Sequence, residues 1–75
     1  MTALETAIRA AGSARKLGDA IGVTSMAISR WKNNYSGVVP AARVIQIFRV
    51  TGVTPHELRP DIYPNPTDGL PQEEN

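Results

Sequence analysis

Apolar residues recur at Leu4, Ala7, Ile8 and Ala11, the i, i+3, i+4, i+7 spacing that gathers side chains on one face of a helix. Thr2 stands where a cap is needed, and Glu5, three residues on, completes a capping box. Gly12 stops this first helix. Ser13 opens a second, shorter one through Ile21, with Leu17, Ala20 and Ile21 predicted to face inward. Gly22 ends it, and Thr24 caps a third helix that runs to about Lys32 or Asn33. Its inward face is Ile28, Trp31 and part of Ala27. The polar run from Asn33 to Gly37 reads as a loop.

Pro40 is placed to be the first residue of a fourth helix, where its missing N–H costs nothing. Ala41, Val44, Ile45 and Phe48 then repeat the apolar spacing, and the helix should end near Thr51 and Gly52. Thr54, Pro55 and Glu57 make a cap for one further turn that drops Leu58 back on the core. Pro60, Pro64, Pro66 and Pro71 forbid a regular helix and deny donors to a sheet. The expectation is an extended segment to about Pro64, followed by a disordered acidic tail over 65–75. Alternation of period two is limited to Tyr35 to Val39, too short for a sheet. The pattern therefore predicts an all-α fold of four helices and a short fifth in one domain, 1–64.

A chain of 75 residues has room for one modest core and no second domain. Cysteine is absent, which excludes disulfide staples, thiolate catalysis and the common zinc frameworks. No apolar run approaches the length of a membrane span, and the N-terminus lacks the order of a signal peptide. A cytoplasmic protein is expected. The net charge of +1 conceals an asymmetry. Residues 1–51 hold seven cations against two anions, +5, and residues 52–75 hold Arg59 against five anions, −4. A basic core suits a polyanion such as DNA, although many solvated helical faces are equally basic.

The informative stretch is Leu17-Gly18-Asp19-Ala20-Ile21-Gly22-Val23-Thr24-Ser25-Met26-Ala27-Ile28-Ser29-Arg30-Trp31. Two short helices flank a tight turn that a glycine begins. Gly18 offers no bulk where the helices cross, Val23 plugs the turn into the core, and Ile28 and Trp31 anchor the second helix. This geometry makes the N-terminal end of the second helix protrude, as the DNA major groove requires, being about 12 Å wide.

Residues at about 14–32 resemble the helix-turn-helix of the Cro/CI repressor superfamily. The run Thr54-Pro55-His56-Glu57-Leu58-Arg59-Pro60-Asp61-Ile62-Tyr63-Pro64 is similar to the C-terminal signature of its YdaS-like, prophage-encoded branch. The resemblance spans roughly residues 3 to 64. It implies a transcriptional repressor that binds a short, two-fold-symmetric operator in double-stranded DNA as a homodimer, the first helix of the pair crossing the backbone and the second reading bases. Carried over by position, Thr24, Ser25, Met26, Ser29 and Arg30 face the bases, and Ala27 approaches them. A glutamine commonly opens the first helix of the motif to clamp a phosphate. Ala14 stands there in this sequence, leaving that contact absent or passed to Ser13, Arg15 or Lys16.

Each candidate has a plainer alternative. Arg30 has the fork to bond guanine twice, and otherwise clamps phosphate or stays solvated. Met26 is suited to a thymine methyl and equally to partly buried packing. Arg15 and Lys16 oppose the dipole at the start of their helix, a conflict that a phosphate would remove; plain surface charge is the alternative. Lys32, Asn33, Asn34 and Tyr35 follow the recognition helix where the backbone should pass. Arg43 is a further phosphate candidate, with pairing to Asp61 or Glu57 as its rival. Trp31 reads as core. His56 has no second ligand or nucleophile at useful spacing, so neither a metal, a cofactor nor an enzyme is expected. Dimer contacts are expected from the fourth helix, Ile47, Val50 and the segment around Ile62 and Tyr63, with a monomer when free at low concentration. The rival function is an antitoxin or adaptor whose main partner is another protein, for which an acidic flexible tail would serve.

Overall fold

The hydroxyl of Thr2 accepts the Glu5 amide at 3.1 Å, and the Glu5 carboxylate accepts the Thr2 amide at 3.1 Å. This reciprocal cap starts α1 (Ala3–Ala11) where the sequence placed it. Ser13 Oγ accepts the Lys16 amide to begin α2 (Ala14–Ile21), and Thr24 Oγ1 accepts the Ala27 amide, at 3.2 Å, to begin α3 (Ser25–Asn34). The computed structural model describes residues 2–34 and 36–70, and every regular element among them is helical.

After α3 the chain differs from expectation. Pro40 has an extended ψ of 141° and stands outside any helix; its carbonyl accepts the Arg43 amide at 2.9 Å, closing a 3₁₀ turn over Ala41–Arg43. Only then does α4 (Val44–Thr51) begin. Pro40 therefore serves as the flanking residue, its fixed φ of −59° suiting the entry. The last helix, α5 (Pro55–Leu58), opens with the predicted Thr54–Glu57 capping box.

The core draws Leu4 and Ala7 from α1, Leu17 and Ile21 from α2, Ile28 and Trp31 from α3, Val44 and Ile47 from α4, and Leu58 from α5, with Val39 and Val53 between. Burying each large side chain contributes roughly 1.5–3 kcal/mol, the principal stabilisation open to so small a domain. Helix α2 is central, packing on α1, α3 and α4.

One inward and one outward assignment change. Ala20 is exposed, because the buried stripe of α2 runs through Leu17, Gly18 and Ile21 and turns Ala20 to solvent. Ile47 is completely buried, which removes it from the candidate dimer contacts, whereas Val50 and Ile62 remain exposed.

The segment after α5 turns back where an extended course was expected. The Ile62 and Tyr63 amides both donate to the Arg59 carbonyl, at 3.1 and 2.8 Å, and Tyr63 packs against the core. Over residues 65–70 the Asn65 amide donates to the Asp68 carboxylate and the Asp68 amide to the Asn65 carbonyl, each at 2.9 Å. Gly69 then lies against Pro55 and Tyr63. The rest of the expected tail, 71–75, lies outside the described residues. No helix among the described residues is long and apolar enough to cross a membrane.

Candidate nucleic-acid interface

The turn between α2 and α3 depends on two glycines for different reasons. Gly22 adopts φ 79° and ψ 27°, the left-handed conformation that costs an L side chain about 1–2 kcal/mol. Gly18 is needed for space: a Cβ there would lie 2.6 Å from the Val23 carbonyl oxygen. With the turn drawn so close, the Gly22 and Val23 amides both reach the Gly18 carbonyl, Val23 at 2.9 Å. Val23 is half-buried against the core, and Ile28 and Trp31 hold the inner face of α3.

Thr24, Ser25, Met26, Ser29 and Arg30 consequently all lie exposed at the N-terminal end of α3. Met26 is 66 % exposed, the most of the large apolar side chains among the described residues, so the reading of Met26 as packing falls away. Ala27 is half-buried behind them. At about 100° per residue, Met26, Ser29, Arg30 and Asn33 share the outward stripe and Ser25 stands on its flank. Thr24 is already committed through its hydroxyl to capping the helix.

The phosphate candidates separate into distinct environments. Ser13 is half-buried and its hydroxyl caps α2; Arg15 is exposed beside it. Lys16 is exposed, but its aliphatic stem lies over Gly12, whose Cβ would stand 3.0 Å from Lys16 Cδ. The ammonium thereby sits near the negative end of α1. Lys32 is exposed on the side of α3 that faces α1, where it shares a shallow recess with Glu5, Ile8 and Arg9. The Glu5 carboxyl is held below its ordinary value chiefly by the Thr2 amide and hydroxyl, with the Lys32 charge adding to the effect. Asn33 and Asn34 are exposed, and Tyr35 lies outside the described residues.

Arg43 is placed differently from the rest. Its guanidinium does not stand free beside α3, nor does it pair with Asp61 or Glu57; Nη1 donates to the Ile21 carbonyl at 3.2 Å and to Gln46 Oε1 at 3.0 Å. Asp61 belongs instead to Arg59, through bonds of 2.9 Å from Nε and 2.6 Å from Nη2. These bonds hold the Asp61 carboxyl below and the Arg59 guanidinium above their ordinary values. Arg59 also donates from Nη1 to the Val39 carbonyl at 2.9 Å, joining the two halves of the chain. Sequence reasoning gave Arg59 and Gln46 no role. The short Arg59–Asp61 spacing was the available signal for the first, and nothing in the pattern signalled the second. His56 Nδ1 lies 2.8 Å from the Tyr63 carbonyl, a local tie that closes the turn after α5.

Among the described residues, five α-helices around one core, with a glycine turn projecting the start of α3, define a Cro-like helix-turn-helix domain. The chain belongs to the family described as bacterial toxin YdaS, whose profile matches residues 4–67. The structure is similar to that of the Cro protein from the putative prophage element Xfaso 1 in Xylella fastidiosa strain Ann-1, with 45 % sequence identity and a TM-score of 0.77. That likeness covers 84 % of this chain and 97 % of the other. It is also similar to the solution structure of a hybrid of Xfaso 1 and Pfl 6, described as two Cro proteins with different folds. There the identity is 42 % and the TM-score 0.58, over 69 % of this chain and 77 % of the hybrid. No curated protein matches the sequence significantly.

Proposed function

We propose that this protein is a Cro-like transcriptional regulator that binds a specific double-stranded DNA operator through the N-terminal half of α3. The observation that carries the reading is the outward surface of Ser25, Met26, Ser29 and Arg30, exposed and without a side-chain partner among the described residues, anchored from behind by Ile28 and Trp31. In this reading Arg30 bonds a guanine edge, Met26 meets a thymine methyl, and Ser25 and Ser29 take whichever partner the register offers. Ser13, Arg15, Lys16, Lys32, Asn33 and Asn34 contact phosphate and set that register. One chain supplies one recognition helix, so two copies bind half-sites one helical turn apart, about 34–36 Å. Exposed Val38, Val50 and Ile62 are the apolar side chains available to the dimer contact. The work is non-enzymatic and takes place in the cytoplasm, at the nucleoid.

Selection of bound duplexes from a random library is the direct test. Enrichment of a palindromic motif is the expected result, and an unenriched library would overturn the proposal. The family's description as a toxin favours a second reading, in which another protein is the main partner. Measuring growth on expression separates the two. Toxicity that disappears together with DNA binding in Arg30→Ala acts through DNA, whereas toxicity that survives the loss of DNA binding belongs to a protein target.

A further inference from the structure

Arg43 comes from the 3₁₀ turn before α4, yet its guanidinium rests on the last residue of α2, twenty-two positions earlier in the chain. Carbonyls in the last turn of a helix have no amide partner within it. The turn cannot supply one here, because the Gly22 and Val23 amides are both committed to the Gly18 carbonyl. The Ile21 carbonyl is met by Arg43 Nη1 at 3.2 Å, and a cation is the favoured charge at that end of the helix. Gln46, one turn into α4, accepts from the same Nη1 at 3.0 Å and so holds the guanidinium in place. The contact falls on the residue immediately before the bend that aims α3.

We infer that Arg43, oriented by Gln46, is a positioning residue for DNA recognition: it clamps the end of α2 and thereby fixes the pose of α3, instead of anchoring a phosphate. The inference rests on the DNA-binding function proposed above. A recognition helix held in its working pose before DNA arrives avoids the ordering cost of binding and keeps its side chains in register with the base edges. A phosphate anchor acts on another quantity. It releases counterions, strengthens binding to every sequence alike, and contributes about 0.9 to the slope of log K against log salt.

The two roles separate in Arg43→Met, which keeps the aliphatic stem and loses charge and donors, and in Gln46→Leu, which changes no charge. In the free, full-length protein, amide exchange at Gly22 and Val23 should quicken about tenfold in Arg43→Met, the effect of losing one charge-assisted hydrogen bond. It should quicken less in Gln46→Leu. Arg43→Lys, which keeps a donor within reach, should restore most of the protection. With the duplex recovered from a random library and a scrambled duplex of equal length, Arg43→Met should lose about tenfold in discrimination while the salt slope stays unchanged. Unaltered exchange and discrimination with a slope shallower by about 0.9 would make Arg43 a phosphate anchor and overturn the inference. If wild-type protein enriches no duplex, the proposed function fails, and exchange at Gly22 and Val23 alone still decides whether the clamp exists.

Discussion

A Cβ on Gly18 would stand 2.6 Å from the carbonyl oxygen of Val23 and 3.3 Å from the carbonyl carbon of Thr24, so the helix-turn-helix closes only because position 18 has no side chain. Gly22, at the bend itself, has open space around the same construction and is constrained only by its φ of 79°. The two glycines should therefore respond differently to alanine. At Gly18 the clash is with backbone that cannot rotate away. It should outweigh the roughly 1 kcal/mol of helix propensity gained and leave a net loss of about 2 kcal/mol. At Gly22 the cost should be that of a left-handed alanine, about 1 kcal/mol. Urea unfolding followed by the fluorescence of Trp31 ranks them; Gly18→Ala as stable as Gly22→Ala would contradict the close approach.

Along α3 the same spacing separates side chains that hold the helix from those that project. Trp31, 8 % exposed, should be indispensable: truncation to alanine costs about 3–5 kcal/mol, comparable to the whole stability of a small domain. Trp31→Ala should be largely unfolded by circular dichroism at 25 °C. Met26 is as apolar in composition but 66 % exposed, and Met26→Ala should change stability by less than about 0.5 kcal/mol. Equal losses in the two variants would place the recognition surface wrongly.

Arg30 and Arg15 are both exposed cations, yet they should fail in different ways. Arg30→Ala should lose about 1 to 3 kcal/mol of discrimination between the selected duplex and a scrambled one. Arg15→Ala should weaken both duplexes about equally and make the salt slope shallower by about 0.9. Titrations at several salt concentrations provide both quantities. An Arg30→Ala protein that keeps its sequence preference rules out base reading by that residue.

What the sequence made legible was local. Thr2, Ser13, Thr24 and Thr54 each declare a helix start through a side chain that reaches only three residues along the chain, and all four caps are present. The 3.6-residue spacing likewise identified Leu4, Leu17, Ile28 and Trp31 as core. What stayed hidden depends on partners remote in sequence. Arg43 meets Ile21, and Arg59 meets Val39, through side chains whose direction is set by packing and by no nearby motif. Ala20 was misplaced because the absence of a side chain at Gly18 lets the turn's backbone occupy that flank and rotates the buried stripe of α2.

Asp61 and Glu5 should govern behaviour in acid. Both carboxyls are held below their ordinary values in the folded protein, Asp61 by the Arg59 guanidinium and Glu5 by the Thr2 amide and hydroxyl. The unfolded chain takes up these protons near pH 4, the folded chain only at lower pH, so the unfolded state binds more protons in that interval. Their stabilisation is therefore complete above about pH 5 and is lost as pH falls through the depressed folded values. The urea midpoint should drop between pH 5 and pH 3. Asp61→Asn should show a smaller drop, because it begins without the ion pair and has no proton to gain at that position. Since the Asp61 side chain is 60 % exposed, added salt should also narrow the difference between the variant and the wild type at neutral pH. Identical acid limbs in the two proteins would mean that the bond between Arg59 and Asp61 leaves the folding equilibrium unchanged. The Arg59 contact with the Val39 carbonyl would then be what joins the two halves of the chain.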